Sequence, residues 1–299
     1  MFKKILFATS ATPACDHAAR VAFDMAQRYD AQISIFHVMG IPTRGYSQVV
    51  IDVKTGEQVE LDDEYTAWVK EEVKTYYSKQ LEKADKYTIE AVVGFPHREI
   101  LRTIRKAKPD LVIMGGSTGD EEESVHKKNA AGSTLQKVAK SASCPMLIVS
   151  RPAASFWGGL SKVVFGTDFS KASDAAFNFA LKLMETFNCE LHIFHALDIS
   201  SMHLGRMLTQ DEIESKIRES LRMIRGRYIN KIKDINNCSF DVWEGIPYVE
   251  IVKYAREKYA DLIVMAHHTR KMDRADTRLG SNIEQVIVRA GCPVISINK

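Results

Sequence analysis

No Cys-x-x-Cys pair occurs in this chain of 299 residues, and its five cysteines, at 15, 144, 189, 238 and 292, are scattered and odd in number. A disulfide framework and a thiolate-pair zinc cradle are thereby excluded, and a reducing, cytoplasmic setting is expected. Charge of one sign is also scarce in excess. Against 41 Lys and Arg stand 38 Asp and Glu, a formal net charge of +3, with no dense basic stripe, so nucleic acid is not an expected partner. No run of about 20 apolar residues is present, which argues against a membrane span. The opening MFKKILFATS has too short an apolar part for a signal peptide and reads as a strand. Catalytic patterns are missing too. There is no Gly-x-Ser-x-Gly elbow, no His-Glu-x-x-His, and no Walker or Gly-x-Gly-x-x-Gly pattern after either first strand. With no nucleophile, base and orienter in one recognisable pattern, no enzyme is expected, and no metal site either.

What is present is a globular composition, 45% hydrophobic and 26% charged, at a length suited to two domains. The most informative stretch is KVVFGTDFS at 162–170. Val163, Val164 and Phe165 form an apolar run without alternation, as in a parallel strand covered on both faces. Asp168 follows where that strand would end, and open α/β sheets bind ligands outside the carboxyl ends of their strands. Downstream, Ala176, Phe179, Ala180 and Leu183 share one helix face.

The same unit occurs earlier. KILFATS at 4–10 precedes Ala18, Val21, Ala22 and Met25 at the same helical spacing, with Ser10 in the place of Asp168. IFHV at 35–38 matches IFHA at 193–196, and GFPHREI at 94–100 matches GIPYVEI at 245–251. PDLVIMG at 109–115 matches ADLIVMA at 260–266, and CPMLIV at 144–149 matches CPVISI at 292–297. Matches in one order with a slowly drifting offset mean a duplicated domain, here 1–150 and 161–299, with 151–160 as a linker. Alternating strands and helices predict a parallel sheet in each half, with helices on both faces. QVVID at 48–52 and EQVEL at 57–61 flank Lys54-Thr55-Gly56 and read as a hairpin that the second half lacks, projecting as a cap or partner-contact element. A helix is expected over 63–83. Thr209-x-x-Glu212, Ser133-x-x-Gln136 and Ser281-x-x-Glu284 mark helix starts, the last two after Gly132 and Gly280. Free N–H groups at such a start attract anions, and an adjacent glycine lets the backbone approach closely.

These features together make the chain resemble a tandem universal stress protein: the first-strand Asp168, the Gly-x-Pro turns, the Asp-Leu-(Val/Ile)-(Ile/Val)-Met strands, the Gly-Ser helix starts and the Cys-Pro last strands. The resemblance implies, in each half, an open parallel five-stranded sheet of order 3-2-1-4-5. It implies a stress-response regulator without enzymatic activity, in a family of which some members bind ATP and others do not. In binders the first-strand Asp lies near adenine and ribose, and a loop Gly-x2-Gly-x9-Gly-(Ser/Thr) holds the phosphates. Members usually pair through their last strands, so an internal pseudo-dimer is expected, and the same habit allows a homodimer of the whole chain.

Each half departs from that pattern. In the first, Ser10 replaces the Asp, twelve residues separate Gly119 from Gly132, and Asp120, Glu121, Glu122 and Glu123 stand where phosphate would approach. The second half keeps Asp168 and Gly280-Ser281 but loses both loop glycines. One alignment puts Ala266 and Thr269 in their places, another His267 and Arg270. Arg270, Lys271, Arg274 and Arg278 make that loop basic, which favours phosphate. The site expected for ATP or AMP is therefore Thr167, Asp168, Ala196, Arg270, Gly280 and Ser281 in the second domain. The alternative is a nucleotide-independent scaffold that binds other proteins. His267 and His268 lack partners at metal spacing, His37 and His195 suit structural hydrogen bonds, and Cys144 and Cys292 suit small buried side chains at a strand start.

Overall fold

The structure is a computed structural model and describes residues 1–42, 49–52, 55–116, 133–153, 156, 159–199, 208–267 and 281–298, with backbone alone at 41, 42 and 281. Two compact units make up the chain, Met1–Ser150 and Arg151–Lys299. Residues 151–160 fall in the second unit, where Ala153, Phe156 and Leu160 are buried.

In the first unit the order is β1 (Lys4–Thr9), α1 (Asp16–Arg28), β2 (Gln32–Pro42), β3 (Val49–Asp52), β4 (Gln58–Glu60), α2 (Asp63–Tyr76), α3 (Ser78–Leu81), β5 (Tyr87–Val93), α4 (Pro96–Ala107), β6 (Leu111–Gly115), α5 (Ser133–Ser141) and β7 (Met146–Val149). Parallel pairing runs β5-β2-β1-β6-β7, which is the expected order 3-2-1-4-5. The second unit has β8 (Lys162–Gly166), α6 (Lys171–Phe187), β9 (Glu190–Leu197), α7 (Gln210–Arg227), β10 (Cys238–Glu244), α8 (Pro247–Glu257), β11 (Leu262–Ala266), α9 (Ser281–Arg289) and β12 (Val294–Ile297). Its order, β10-β9-β8-β11-β12, is the same.

The apolar runs explain the burial. From Ile5 to Thr9, Leu111 to Gly115 and Val163 to Gly166, every residue is buried. Successive side chains point to opposite faces, so helices must cover both sides of each sheet. The Asp of each Asp-Leu strand start has a structural task. Asp110 Oδ2 accepts from the backbone N–H of Lys3 and Lys4 at 2.8 and 2.9 Å. Asp261 Oδ2 accepts from the N–H of Ser161 and Lys162 at 2.8 and 2.9 Å, and from the Ser161 hydroxyl at 2.7 Å. Each carboxylate thus ties the entry of the first strand to that of the fourth. The Gly-x-Pro turns do the same kind of work at the other edge: Gly94 and Gly245 take φ of 152° and 139°, which only glycine adopts freely, and Pro96 and Pro247 open α4 and α8.

Two elements differ from expectation. The helix over 63–83 is broken at Tyr77, between α2 and α3. Tyr77 is fully buried, packed edge-on to Phe7, and the chain turns there to deliver its ring to the core. The hairpin forms, but it is bound into the sheet instead of standing clear of it. β2 runs on past the parallel ladder, and Gly40, Ile41 and Pro42 pair antiparallel with Asp52, Ile51 and Val50. β4 then pairs with β3. Val50 is fully buried, and the Tyr65 hydroxyl donates to Asp52 Oδ2 at 2.5 Å.

Candidate functional site

The carboxyl edge of β8 carries the first residues expected at a site. Thr167 is buried and lies just beyond the strand, its N–H donating to the Phe194 carbonyl at 2.9 Å. Its hydroxyl meets the Tyr228 hydroxyl at 2.8 Å and accepts from the Phe169 N–H at 3.0 Å. Its carbonyl accepts from His195 Nδ1 at 2.8 Å. A ring nitrogen facing a carbonyl must carry the proton, so His195 is the Nδ1–H tautomer. Burial also pushes the His195 pKa down, against the opposing pull of Thr167 and Asp168.

Asp168 is exposed at the rim. Its Oδ1 accepts from the Ser170 N–H at 2.9 Å and from the Ser173 hydroxyl at 2.5 Å. Ser170 caps α6 by accepting from the Ser173 N–H. Between them Phe169 adopts φ of 59°, an uncommon value for a bulky side chain. Its ring packs on His195 with centroids 4.5 Å apart and stacks over Tyr228 at 6.4 Å. Arg227 grips the turn from the end of α7. It donates twice to Asp174, both at 2.7 Å, and once to the Ser170 carbonyl at 3.2 Å. The hydrogen bond to Asp174 is the main reason its pKa rises. This bidentate geometry fixes direction as well as distance.

The first unit keeps the scaffold and changes the chemistry. Thr9 bonds to Tyr77 at 2.6 Å, to the Ala11 N–H at 2.9 Å and, through its carbonyl, to His37 Nδ1 at 3.0 Å. Ala11 has φ of 52°. Ser10, in the place of Asp168, meets the Thr12 hydroxyl at 2.9 Å and the Cys15 thiol at 3.3 Å. The Arg227–Asp174 pair becomes a bond from Tyr76 to Asp16 at 2.9 Å, and burial followed by that bond pushes the Tyr76 hydroxyl up to about 12. The first unit therefore presents hydroxyls and a thiol where the second presents a carboxylate.

Thr167 and Asp168 are adjacent at this edge, and Ala196, buried on β9, lies near the carboxyl end of the neighbouring strand. Ser281 begins α9. β11 and β12 are parallel, so the helix between them runs back and its N-terminus returns to the same edge. Arg270 and Gly280 lie outside the described residues, as do Lys271, Arg274, Arg278, His268 and the acidic stretch 120–123. The two alignments of the loop are resolved by backbone pairing. The Gly116 N–H donates to the Val149 carbonyl, and the His267 N–H to the Ile297 carbonyl. His267, buried at 5% exposure, thus occupies the position of Gly116.

Sequence reasoning found His37 and His195 but missed Tyr77 and Tyr228, Ser173, and the Arg227–Asp174 pair. The tyrosines were detectable, since they stand at corresponding positions of the two copies, as do Thr9 and Thr167. Cys144 and Cys292 are half-buried, and burial pushes their thiols up to about 11 and about 12.

A model of the universal stress protein family matches residues 1–150 and again 159–298. Universal stress protein MJ0531 of Methanocaldococcus jannaschii is 27% identical over 164 residues, covering 51% of this chain and 84% of its own. A universal stress protein from Archaeoglobus fulgidus shares the fold across 99% of this chain and 98% of its own, with TM-score 0.67 and 19% identity. A universal stress protein solved in complex with cAMP matches 46% of this chain and 97% of its own, at 23% identity and TM-score 0.33.

Proposed function

The chain belongs to the universal stress protein family, and from that premise we propose that it is a non-enzymatic, cytoplasmic stress-response regulator that binds an adenine nucleotide, ATP or AMP, in its second unit alone. The observation that carries this reading is the contrast between Asp168 and Ser10 on otherwise matching scaffolds. A carboxylate at the end of the first strand accepts hydrogen bonds from ribose hydroxyls, and a serine held by a thiol is a poorer charge partner. Thr167 and Ala196 line the same edge. The phosphates would lie toward the N–H groups that open α9 at Ser281, with Gly280 and Arg270 before them.

The test is calorimetric titration of the whole chain with ATP and AMP. Wild-type protein and Ser10→Ala bind, whereas Asp168→Ala loses at least about tenfold in affinity, the worth of one charge-assisted hydrogen bond. Failure of the wild type to bind at millimolar nucleotide, or loss of binding in Ser10→Ala alone, sinks the assignment. Incubation with ATP should release no phosphate above background, and sustained turnover would contradict the non-enzymatic reading.

One observation favours a second reading, a nucleotide-independent scaffold. His267 fills the position of the first loop glycine, where a phosphate-holding loop needs close backbone approach. Absence of nucleotide binding together with recovery of stable protein partners would select it.

A further inference from the structure

The hub of the hydrogen bonds beneath Asp168 is a residue that would not itself touch a ligand. Ser173, in the first turn of α6, is 2% exposed. Its hydroxyl donates to Asp168 Oδ1 at 2.5 Å and lies 3.3 Å from the Ser170 hydroxyl and 3.4 Å from the Asp168 N–H. The Ser170 N–H reaches the same Oδ1 at 2.9 Å. A side chain gripped at one oxygen from two directions keeps one rotamer, although Asp168 itself is exposed. The base of this arrangement is fixed in turn, because Arg227 holds both Asp174 and the Ser170 carbonyl.

The first unit supplies an internal comparison. Its Cys15 occupies the place of Ser173, and its thiol lies 3.3 Å from the Ser10 hydroxyl. The contact between the first residue of the turn and the sixth is kept in both copies, while the acid and its hydroxyl donor are exchanged together for a hydroxyl and a thiol. Neither form is the helix cap: Ser170 caps α6 in the second unit, and no side chain caps α1 in the first. The paired exchange thus goes with the change of carboxylate to hydroxyl and not with the start of the helix.

We propose that Ser173 is a positioning residue that locks the Asp168 carboxylate toward the ribose, so that the second unit selects ribonucleotides over deoxyribonucleotides. This rests on the nucleotide reading above and adds the substrate class to it. Ribose and deoxyribose differ by one hydroxyl, and a carboxylate can distinguish them only if it is already aimed. A mobile carboxylate spends its hydrogen-bond energy on ordering itself.

The experiment compares AMP with its 2′-deoxy and 3′-deoxy analogues, by calorimetry on the whole chain. It uses wild type, Ser173→Ala, Ser173→Thr and Ser173→Cys. Wild type prefers AMP to at least one deoxy analogue by about ten- to hundredfold, the range for one hydrogen bond to a charged acceptor. Ser173→Ala reduces that preference to about threefold or less, chiefly through weaker AMP binding. Ser173→Thr restores it, because the hydroxyl returns. Ser173→Cys, which copies the residue the first unit tolerates, folds normally and falls between, because a thiol is a weak donor. Equal loss of affinity for AMP and both analogues in Ser173→Ala, or full preference kept in Ser173→Cys and Ser173→Ala, overturns the proposal. A second readout does not need ligand. Side-chain scalar couplings of Asp168, identified by their disappearance in Asp168→Ala, report one rotamer in wild type and averaging in Ser173→Ala. If wild type binds no nucleotide, the site reading fails, and the couplings alone decide: averaging upholds the positioning role, and unchanged couplings end it.

Discussion

At the scale of single residues, each unit is organised by a buried threonine that meets a tyrosine from far along the chain. Thr9 and Tyr77, and Thr167 and Tyr228, are hydroxyl pairs packed among aromatic rings. Burial pushes the phenols of Tyr77 and Tyr228 up, so both stay protonated at any ordinary pH. Removing one hydroxyl leaves the other short of a partner. Tyr228→Phe should cost about 1–2 kcal/mol of stability, read from urea unfolding, with Tyr77→Phe similar. The thiols give a pH prediction. Cys144 and Cys292 are raised by burial from 9.0 to about 11 and about 12. A folded-state pKa above the unfolded one means that the folded form holds its proton longer. The stabilising contribution is then complete below pH 9 and is lost as pH rises through 11 and 12. Thermal melting across that alkaline window should fall, and less steeply in Cys144→Ala. Slow alkylation by iodoacetamide at pH 7.5 should accompany it, since the thiolate is the nucleophile.

Among the described elements, the hairpin β3–β4 is an addition that the second copy of the fold lacks. A sequence comparison marks it as an insertion and suggests a tolerated projection. The structure ties it down by antiparallel pairing to β2, by the fully buried Val50, and by the Asp52–Tyr65 bond. Burying a valine contributes about 1.5–3 kcal/mol, and a hydrogen bond to a charged group about as much again. Replacing residues 43–60 with a short Gly-Ser link should therefore lower the melting temperature by several degrees, where a free projection would leave it unchanged. On the neighbouring α2, Trp68, at 58% exposure, stacks on the Tyr65 that holds Asp52, with centroids 5.9 Å apart. Helix ends were the more legible elements. Thr209 and Glu212 form the capping box that their spacing suggests, because it depends on residues within one turn of each other. The helix break at Tyr77 was not legible, because the helical pattern continues through it and only the partner of that residue across the core explains the break.

For the molecule as a whole, two copies of one fold predict two equivalent sites, whereas the chemistry at their edges predicts one. Calorimetric titration should give a stoichiometry near one nucleotide per chain; a value near two would show that Ser10 serves as well as Asp168. The sequence by itself determined the duplication, the parallel strands and the asymmetry between Ser10 and Asp168. All three are written in contiguous residues: matched motifs, apolar runs without alternation, and one residue at a strand end. Only the tertiary structure decided what holds those residues in place. Tyr77 and Tyr228 reach their threonines across 68 and 61 positions, Arg227 reaches Asp174 across 53, and His267 is set at the glycine position by its bond to the last strand. Such contacts have no period and no local signal. They exist because the chain returns to the same edge after each crossover, and the sequence does not state where a returning side chain will arrive.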